Sequence, residues 1–419
     1  MKYAPLNLGR WLLWSATAIV FIGAPLVFTS SFALTMLTQM GSFIIFALSY
    51  NMLLGQGGML SFGHAVYSGL GAYIAVHALN LIGKGTLVFP VTLLPLVGGI
   101  AGMFFGLLFG YVTTRRSGTT FALISLGIGE MVFACVLMFP GFFGGEAGVS
   151  TNRVAGKPFL GLSYGPALQV YYLVSAWCLV SIAAMYALTQ TPLGRMANAV
   201  RDNPERAEFV GYDTQKVRFL QLVLSSFFAG VSGGLSCINF EIVSAENVSA
   251  LRSGGVLIAT FIGGVPFFFG PILGAIVFIF FVAALSGFTK AWLLYLGLFF
   301  VLMVLYAPGG LASLLLLHIP LVRARRLGKL ALPYLLAGGS ALLALAGLIG
   351  LVEMVYRLSE QGASTVISVF DISFDAQSAP PWLFFGFFSI AGLAALHFAT
   401  GFFARRWSAV QMEVQGKAS

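Results

Sequence analysis

Charge is what this 419-residue chain has least of. Its 22 Lys and Arg and 13 Asp and Glu make up 8% of the residues, against 59% apolar, and the mean hydropathy is +0.95. That leaves too little polar surface for a water-soluble globule. Cysteine is scarce too: Cys135, Cys178 and Cys237 stand singly in apolar runs with no CxxC or metal spacing, so they read as small core residues. The sequence has no HExxH, no Ser/His/Asp set and no carboxylate pair on one external face, and nothing in it argues for an enzyme, a metal site or a cofactor. It also has no G-x-x-x-x-G-K-[ST] phosphate loop, so any ATP-driven work requires a partner subunit.

What is abundant is apolar runs near the roughly 20 residues that cross hydrocarbon, and in lipid such runs must be helices because an unpaired backbone is too costly. The expected fold is therefore all-α and polytopic, with about twelve transmembrane helices. They fall near 11–29, 33–54, 58–79, 87–112, 119–142, 167–189, 217–240, 253–266, 268–286, 290–306, 330–352 and 382–403. The eighth is short and ends in "GGVP", as a broken helix lining a cavity would.

Basic residues orient the bundle. With the N-terminus inside, 16 of the 22 fall on the cytoplasmic side, among them Lys2, Arg10, Arg115, Arg116, Arg323, Arg325, Arg326, Lys329, Arg405, Arg406 and Lys417; Lys84, Arg153, Lys157, Arg252, Lys290 and Arg357 lie outside. Both termini are then cytoplasmic. The first run, preceded by Lys2 and Arg10 and followed by "SFA", also admits a secretory-signal reading, but it exceeds the usual apolar region of a signal peptide, and keeping it makes the topology consistent. The net charge of +9 suits anionic lipid headgroups rather than nucleic acid.

Nine of the few charges crowd into residues 191–218, "TPLGRMANAVRDNPERAEFVGYDTQKVR". Thr191-Pro192 and Asn203-Pro204 each place an N-cap before a proline at the first helical position. Glu205 suits the positive end of a helix dipole, and Gly211 stands where a left-handed residue ends a helix. Two short amphipathic helices are expected, with Met196, Ala199, Val200, Ala207, Phe209 and Val210 among the charges. On these grounds alone they either pack on the protein's own inner face or fit a partner's groove.

The stretch "GRMANAVRDNPERAEFVGYDTQKVRFLQLVLSSFFAGVSGGL" resembles the coupling loop and following helix of LivM-like permeases of branched-chain amino acid ABC importers. "FALSYNMLLGQGGMLSFGHAVYSGLGAYIA", "GTTFALISLGIGE" and "YAPGGL" also resemble that family, so the likeness covers roughly residues 10–315. It implies a ten-span permease domain over 1–315 whose coupling loop, 190–216, meets separate ATPase subunits through Gly194, Arg195, Ala199, Arg201, Glu205, Ala207, Glu208 and Gly211. It further implies a second permease subunit, a periplasmic or lipid-anchored solute-binding protein, and residence in the bacterial inner membrane. One departure is Arg206, at the first Ala of the family's A-A-E triplet. The family's solutes include amino acids, urea, short amides and aromatic acids, and the sequence does not choose among them. A different class of function, a self-sufficient twelve-span transporter or facilitator, has only a weak internal echo between "GGMLSFGHAVYSG" and "GGVPFFFGPILG" in its favour.

Four polar residues stand out inside the membrane. Ser61, His64 and Tyr67 share one face if residues 58–79 are helical, either bonded to a neighbouring helix or lining the substrate path. Glu130, mid-span in "LGIGEM", serves either buried pairing or pathway polarity. Gly98, Gly102, Gly106 and Gly110 form a small-residue ridge for close helix packing, as do Gly270 and Gly274. The Gly-rich segment 144–166, with Arg153 and Lys157, is an external loop, either solvated or docking a binding protein. Residues 316–419 have no counterpart in the family pattern: two further spans flank an external loop at 353–381 that carries Glu353, Glu360, Asp371 and Asp375. They form either a peripheral hairpin or a gating element.

Overall fold

The computed structural model describes residues 8–154, 161–324, 326–359, 366–369 and 372–415. Lys2, Lys157, Arg325, Glu360, Asp371 and Lys417 lie outside the described residues. The helices are α1 (Leu8–Val27), α2 (Ser31–Asn51), α3 (Ala65–Gly83), α4 (Leu94–Thr113), α5 (Gly118–Met138), the single turn α6 (Pro140–Phe143), α7 (Ala167–Gln190), α8 (Pro192–Asp202), α9 (Pro204–Phe209), α10 (Thr214–Phe240), α11 (Ala250–Gly263), α12 (Gly270–Ile279), α13 (Ser286–Phe288), α14 (Trp292–Tyr306), α15 (Gly310–Arg323), α16 (Ala331–Ser359) and α17 (Ala379–Gln415). Among the described residues nine helical runs are long and apolar enough to cross a membrane, or ten if α14 and α15, bent by 49°, count as one. The protein is thus an all-α polytopic membrane protein. Two shorter apolar helices, Trp14–Val27 and Ala250–Gly263, account for the first and eighth expected spans.

The chain divides into two compact units. Residues to Gly287 together with Leu296–Ala312 form one, and Phe288–Tyr295 with Ser313–Ser419 form the other. In the first unit α10 is the central post, packed on α4, α3 and α2. The glycine ridge of α4 is what lets it approach: a Cβ on Gly102 would stand 2.9 Å from the Gly230 Cα, and one on Gly106 2.7 Å from the Ser226 side chain. Lipid offers no hydrophobic drive between helices, so this closeness is stabilised by dispersion, and hydrogen bonds tie the other side of α10 to α2 and the π-turn that follows it. Ser225 Oγ donates to the Ser49 carbonyl at 2.6 Å, Ser232 Oγ to the Ser42 carbonyl at 2.7 Å and Gln221 Nε2 to the Met52 carbonyl at 2.9 Å. Each such bond contributes about 0.6 kcal/mol.

Three differences from the sequence reading concern element boundaries. The third span does not start at 58. The chain makes a π-turn at Met52–Gln56, runs without regular structure to residue 64, and becomes helical only at Ala65. This irregular backbone is tolerated because its groups find partners: the Phe62 N–H donates to Ser125 Oγ and the Ala65 N–H to Ser253 Oγ, both at 3.0 Å. After "YAPGGL", where a loop was expected, Gly310 starts α15. At the far end α16 continues through Glu353 to Ser359, so Glu353 is helical rather than in the loop. Its carboxylate accepts from Thr289 Oγ1 at 2.6 Å and from the Tyr295 hydroxyl at 3.0 Å.

The second unit is built on the α16–α17 hairpin, with Gly347 against the Phe385–Ser389 backbone and Gly350 under the Phe385 ring. Strands β3 (Val366–Val369) and β4 (Ile372–Asp375) pair antiparallel, Val366 opposite Asp375.

Candidate functional site: the coupling loop and the polar residues of the first unit

The loop after α7 folds as its local chemistry dictates. Thr191 caps α8, its Oγ1 accepting from the Gly194 N–H at 3.4 Å with Pro192 at the first helical position. Asn203 caps α9, accepting from the Arg206 N–H at 2.9 Å, and Gly211 follows α9 at φ +95. Asp213 then caps α10. Its carboxyl is held below the usual range by the Lys216 N–H bond first and the Lys216 ammonium second.

The two readings of this amphipathic loop divide its surface between them. Ala197, Val200, Ala207 and Val217 form a small core of their own, while Ala199, Arg195, Glu205 and Arg206 are exposed. Phe209, 91% exposed, and Val210, 70% exposed, project from the tip. Gly194 is required by contact rather than by conformation, since a Cβ there would strike the Leu188 carbonyl and come within 2.8 Å of the Thr189 Cα. Glu208, also exposed, accepts from Thr214 Oγ1 at 2.8 Å. Arg201 reaches furthest: its guanidinium donates to the Gly55 carbonyl in the π-turn, and its stem lies against Gly58. Sequence spacing could not foresee this bond across 146 positions.

The four membrane residues do not form one group. His64 is wholly buried: Nε2 lies 3.0 Å from Ser49 Oγ, and the ring stacks on Phe46 and meets Tyr50 and Tyr67 edge-on. This is a histidine bonded to a neighbouring helix, although its Nδ1 has no partner. Ser61 is buried in the irregular segment, off the helix that carries Tyr67, so the expected shared helical face does not exist. Glu130 is exposed on α5, and among the described residues it enters no hydrogen bond or ion pair.

Beside α5 pack the turn Ala245–Val248 and α11. There Leu251 is 80% exposed, and a Cβ on Gly254 would meet nothing within 4 Å. Glu246 is exposed, and the Arg252 guanidinium lies 5.8 Å from the Phe46 ring, with Nε buried and unpartnered. Among the described residues Glu246 and Arg252 close no ion pair. The sequence reading passed over both residues, since in sequence each reads as an ordinary charge near an external loop.

Arg153 is no solvated loop residue. Strands β1 (Val149–Ser150) and β2 (Ile242–Val243) pair antiparallel, and the Arg153 N–H donates to Glu241 Oε1 at 2.8 Å. Its guanidinium donates to the carbonyls of Tyr164, Gly165, Ile238 and Asn239, the last two in the final turn of α10. A cation there satisfies carbonyls that the helix leaves open.

A family model described as the permease component of branched-chain amino acid transport systems matches residues 32–307. The high-affinity branched-chain amino acid transport system permease protein LivM of Escherichia coli (strain K12) is 28% identical over 290 residues, covering 64% of this chain and 67% of that protein. LivM of Salmonella typhimurium is 27% identical over the same coverage. A probable branched-chain amino acid transport permease protein LivH of Methanocaldococcus jannaschii is 26% identical over 224 residues, 51% of this chain and 67% of that one. No solved structure matches.

Proposed function

This chain belongs to the branched-chain amino acid transport permease family, and we propose that it is the permease subunit of an ATP-driven importer whose path runs along the uncovered face of α5 and α11. The observation that carries the reading is Glu130. A carboxylate mid-span costs about 2.5–3.5 kcal/mol if it faces lipid, so an exposed Glu130 requires protein or water opposite. A second permease subunit closing over this face supplies both, enclosing a polar seam between the chains. Glu246 and Arg252 flank it with both charge signs, which suits a zwitterion: a carboxylate for the Arg252 guanidinium and an ammonium for Glu246.

Movement comes from a separate ATPase. Its groove receives the Phe209–Val210 tip and the exposed charges of α8 and α9, while Arg201 links α8 to the π-turn that ends α2. A shift of α8 is thereby transmitted to the helix carrying Tyr50 and Ser49. The solute-binding protein docks on the opposite, external face, and the assembly sits in the bacterial inner membrane with both termini of this chain cytoplasmic.

The test is uptake of leucine, isoleucine and valine by the assembled importer. Glu130→Gln and Arg252→Gln should assemble normally, with Arg252→Gln weakening apparent substrate affinity about 10- to 100-fold, the worth of a charged hydrogen bond. Unchanged uptake by both variants at every substrate concentration refutes the path. Uptake by the lone chain in liposomes refutes the ATP-driven reading and favours a facilitator.

A further inference from the structure

The second unit has a cavity of its own. α17 has 37 residues, a length of about 55 Å, against a hydrocarbon core of about 30 Å. A crossing that starts at Ala379 is complete some 20 residues on, so Phe402 to Val410 emerge at the membrane surface. Lys329, just before α16, stands at the same end of the hairpin.

At this end Val410 packs with Leu321 and Leu330, and the Tyr334 and Phe403 rings meet at 5.0 Å. Gly392 packs on Ala344, but beyond them a cavity of about 360 Å³ opens. Lys329 and Arg406 supply its charge, Leu332, Phe402 and Val410 much of its apolar wall, and among the described residues no acidic one lines it. The volume falls among those of ligand sites. The Arg406 guanidinium is steadied 5.6 Å over the Phe402 ring.

Beside the cavity an amphipathic ring cluster marks headgroup depth. His318 Nε2 bonds the Tyr334 hydroxyl, Trp407 meets the His318 ring at 5.4 Å, and Phe403 stacks on Trp407 at 5.6 Å. Two cations over an apolar wall, at the level of the headgroups and between two spans, match a phosphate diester with the start of an acyl chain.

We propose that this cavity binds the headgroup of an anionic phospholipid, anchoring the C-terminal hairpin to acidic lipid. Full-length protein is studied by native mass spectrometry with phosphatidylglycerol competing against phosphatidylcholine. Wild type should prefer phosphatidylglycerol, and Lys329→Gln with Arg406→Gln should reduce that preference about 10- to 30-fold. Ala409→Phe, which keeps both charges and fills the cavity, should reduce it too. Arg115→Gln with Arg116→Gln, which removes two basic residues elsewhere, should leave it unchanged. Equal retention of both lipids by wild type overturns the proposal, as does an undiminished preference in both cavity variants. An equal loss in the Arg115/Arg116 variant assigns the effect to bulk charge. Displacement of the lipid by millimolar inorganic phosphate assigns the site to a free anion. Either result also overturns it.

Discussion

Replacing Gly211 with valine tests whether the loop after α7 transmits force. Gly211 stands at φ +95 with nothing within 4 Å of a would-be Cβ, so the substitution meets no steric obstacle and acts through backbone strain alone. That strain is about 1–2 kcal/mol for a residue with a Cβ, the upper end applying to a β-branched one. α9 is six residues long and buries only Ala207, so it has little packing to set against the strain. A loss of 1.4 kcal/mol is a tenfold shift in population, and the docked loop should become roughly 5- to 30-fold rarer. Membrane insertion and the α4–α10 core should be untouched. Pull-down of the ATPase by detergent-solubilised permease reads the docking, and uptake per ATP hydrolysed reads the coupling; both should fall together. Gly211→Asn, which tolerates the left-handed region, should retain most of both. Full ATPase affinity and full coupling in Gly211→Val would refute the reasoning, because the strain is fixed by the backbone and must appear somewhere in the loop.

Other predictions follow from single contacts. Gly194→Ala drives a methyl into the Leu188–Thr189 backbone, so α8 should shift at a cost of about 1–3 kcal/mol, seen as lost Arg201-dependent coupling in the uptake assay. Arg153→Gln strips the last carbonyls of α10 of their cation and should lower the thermal midpoint of the purified protein, an effect of about 1–3 kcal/mol, without altering ATPase binding. The Asp213 carboxyl is depressed in the folded state, so its stabilisation of the α10 start is present above the ordinary carboxylate pKa and lost as pH falls through the lower folded value. The protection of the Lys216 amide relative to an unstructured chain at the same pH should therefore fall only in acid, and Asp213→Asn, which still caps, should flatten that dependence.

How much of this was legible beforehand depended on whether the signal was local. The membrane class follows from composition alone, because no soluble fold can cover 59% apolar residues. The caps of α8 and α9 were readable because Thr191-Pro192, Asn203-Pro204 and Gly211 bond within four residues of themselves, and the Gly98–Gly110 ridge because a four-residue period needs no knowledge of its partner. Tertiary structure alone decided which side of each span is covered. Lipid and protein interior are equally apolar, so hydropathy carries no facing signal. Thus Glu130 is uncovered and His64 buried although both stand in similar apolar runs, and Arg153 closes on α10 although its loop reads as solvated. Ser61 left its expected helix for the same reason: its segment finds hydrogen-bond partners in Ser125 and Ser253, 63 and 188 positions away from the residues they hold.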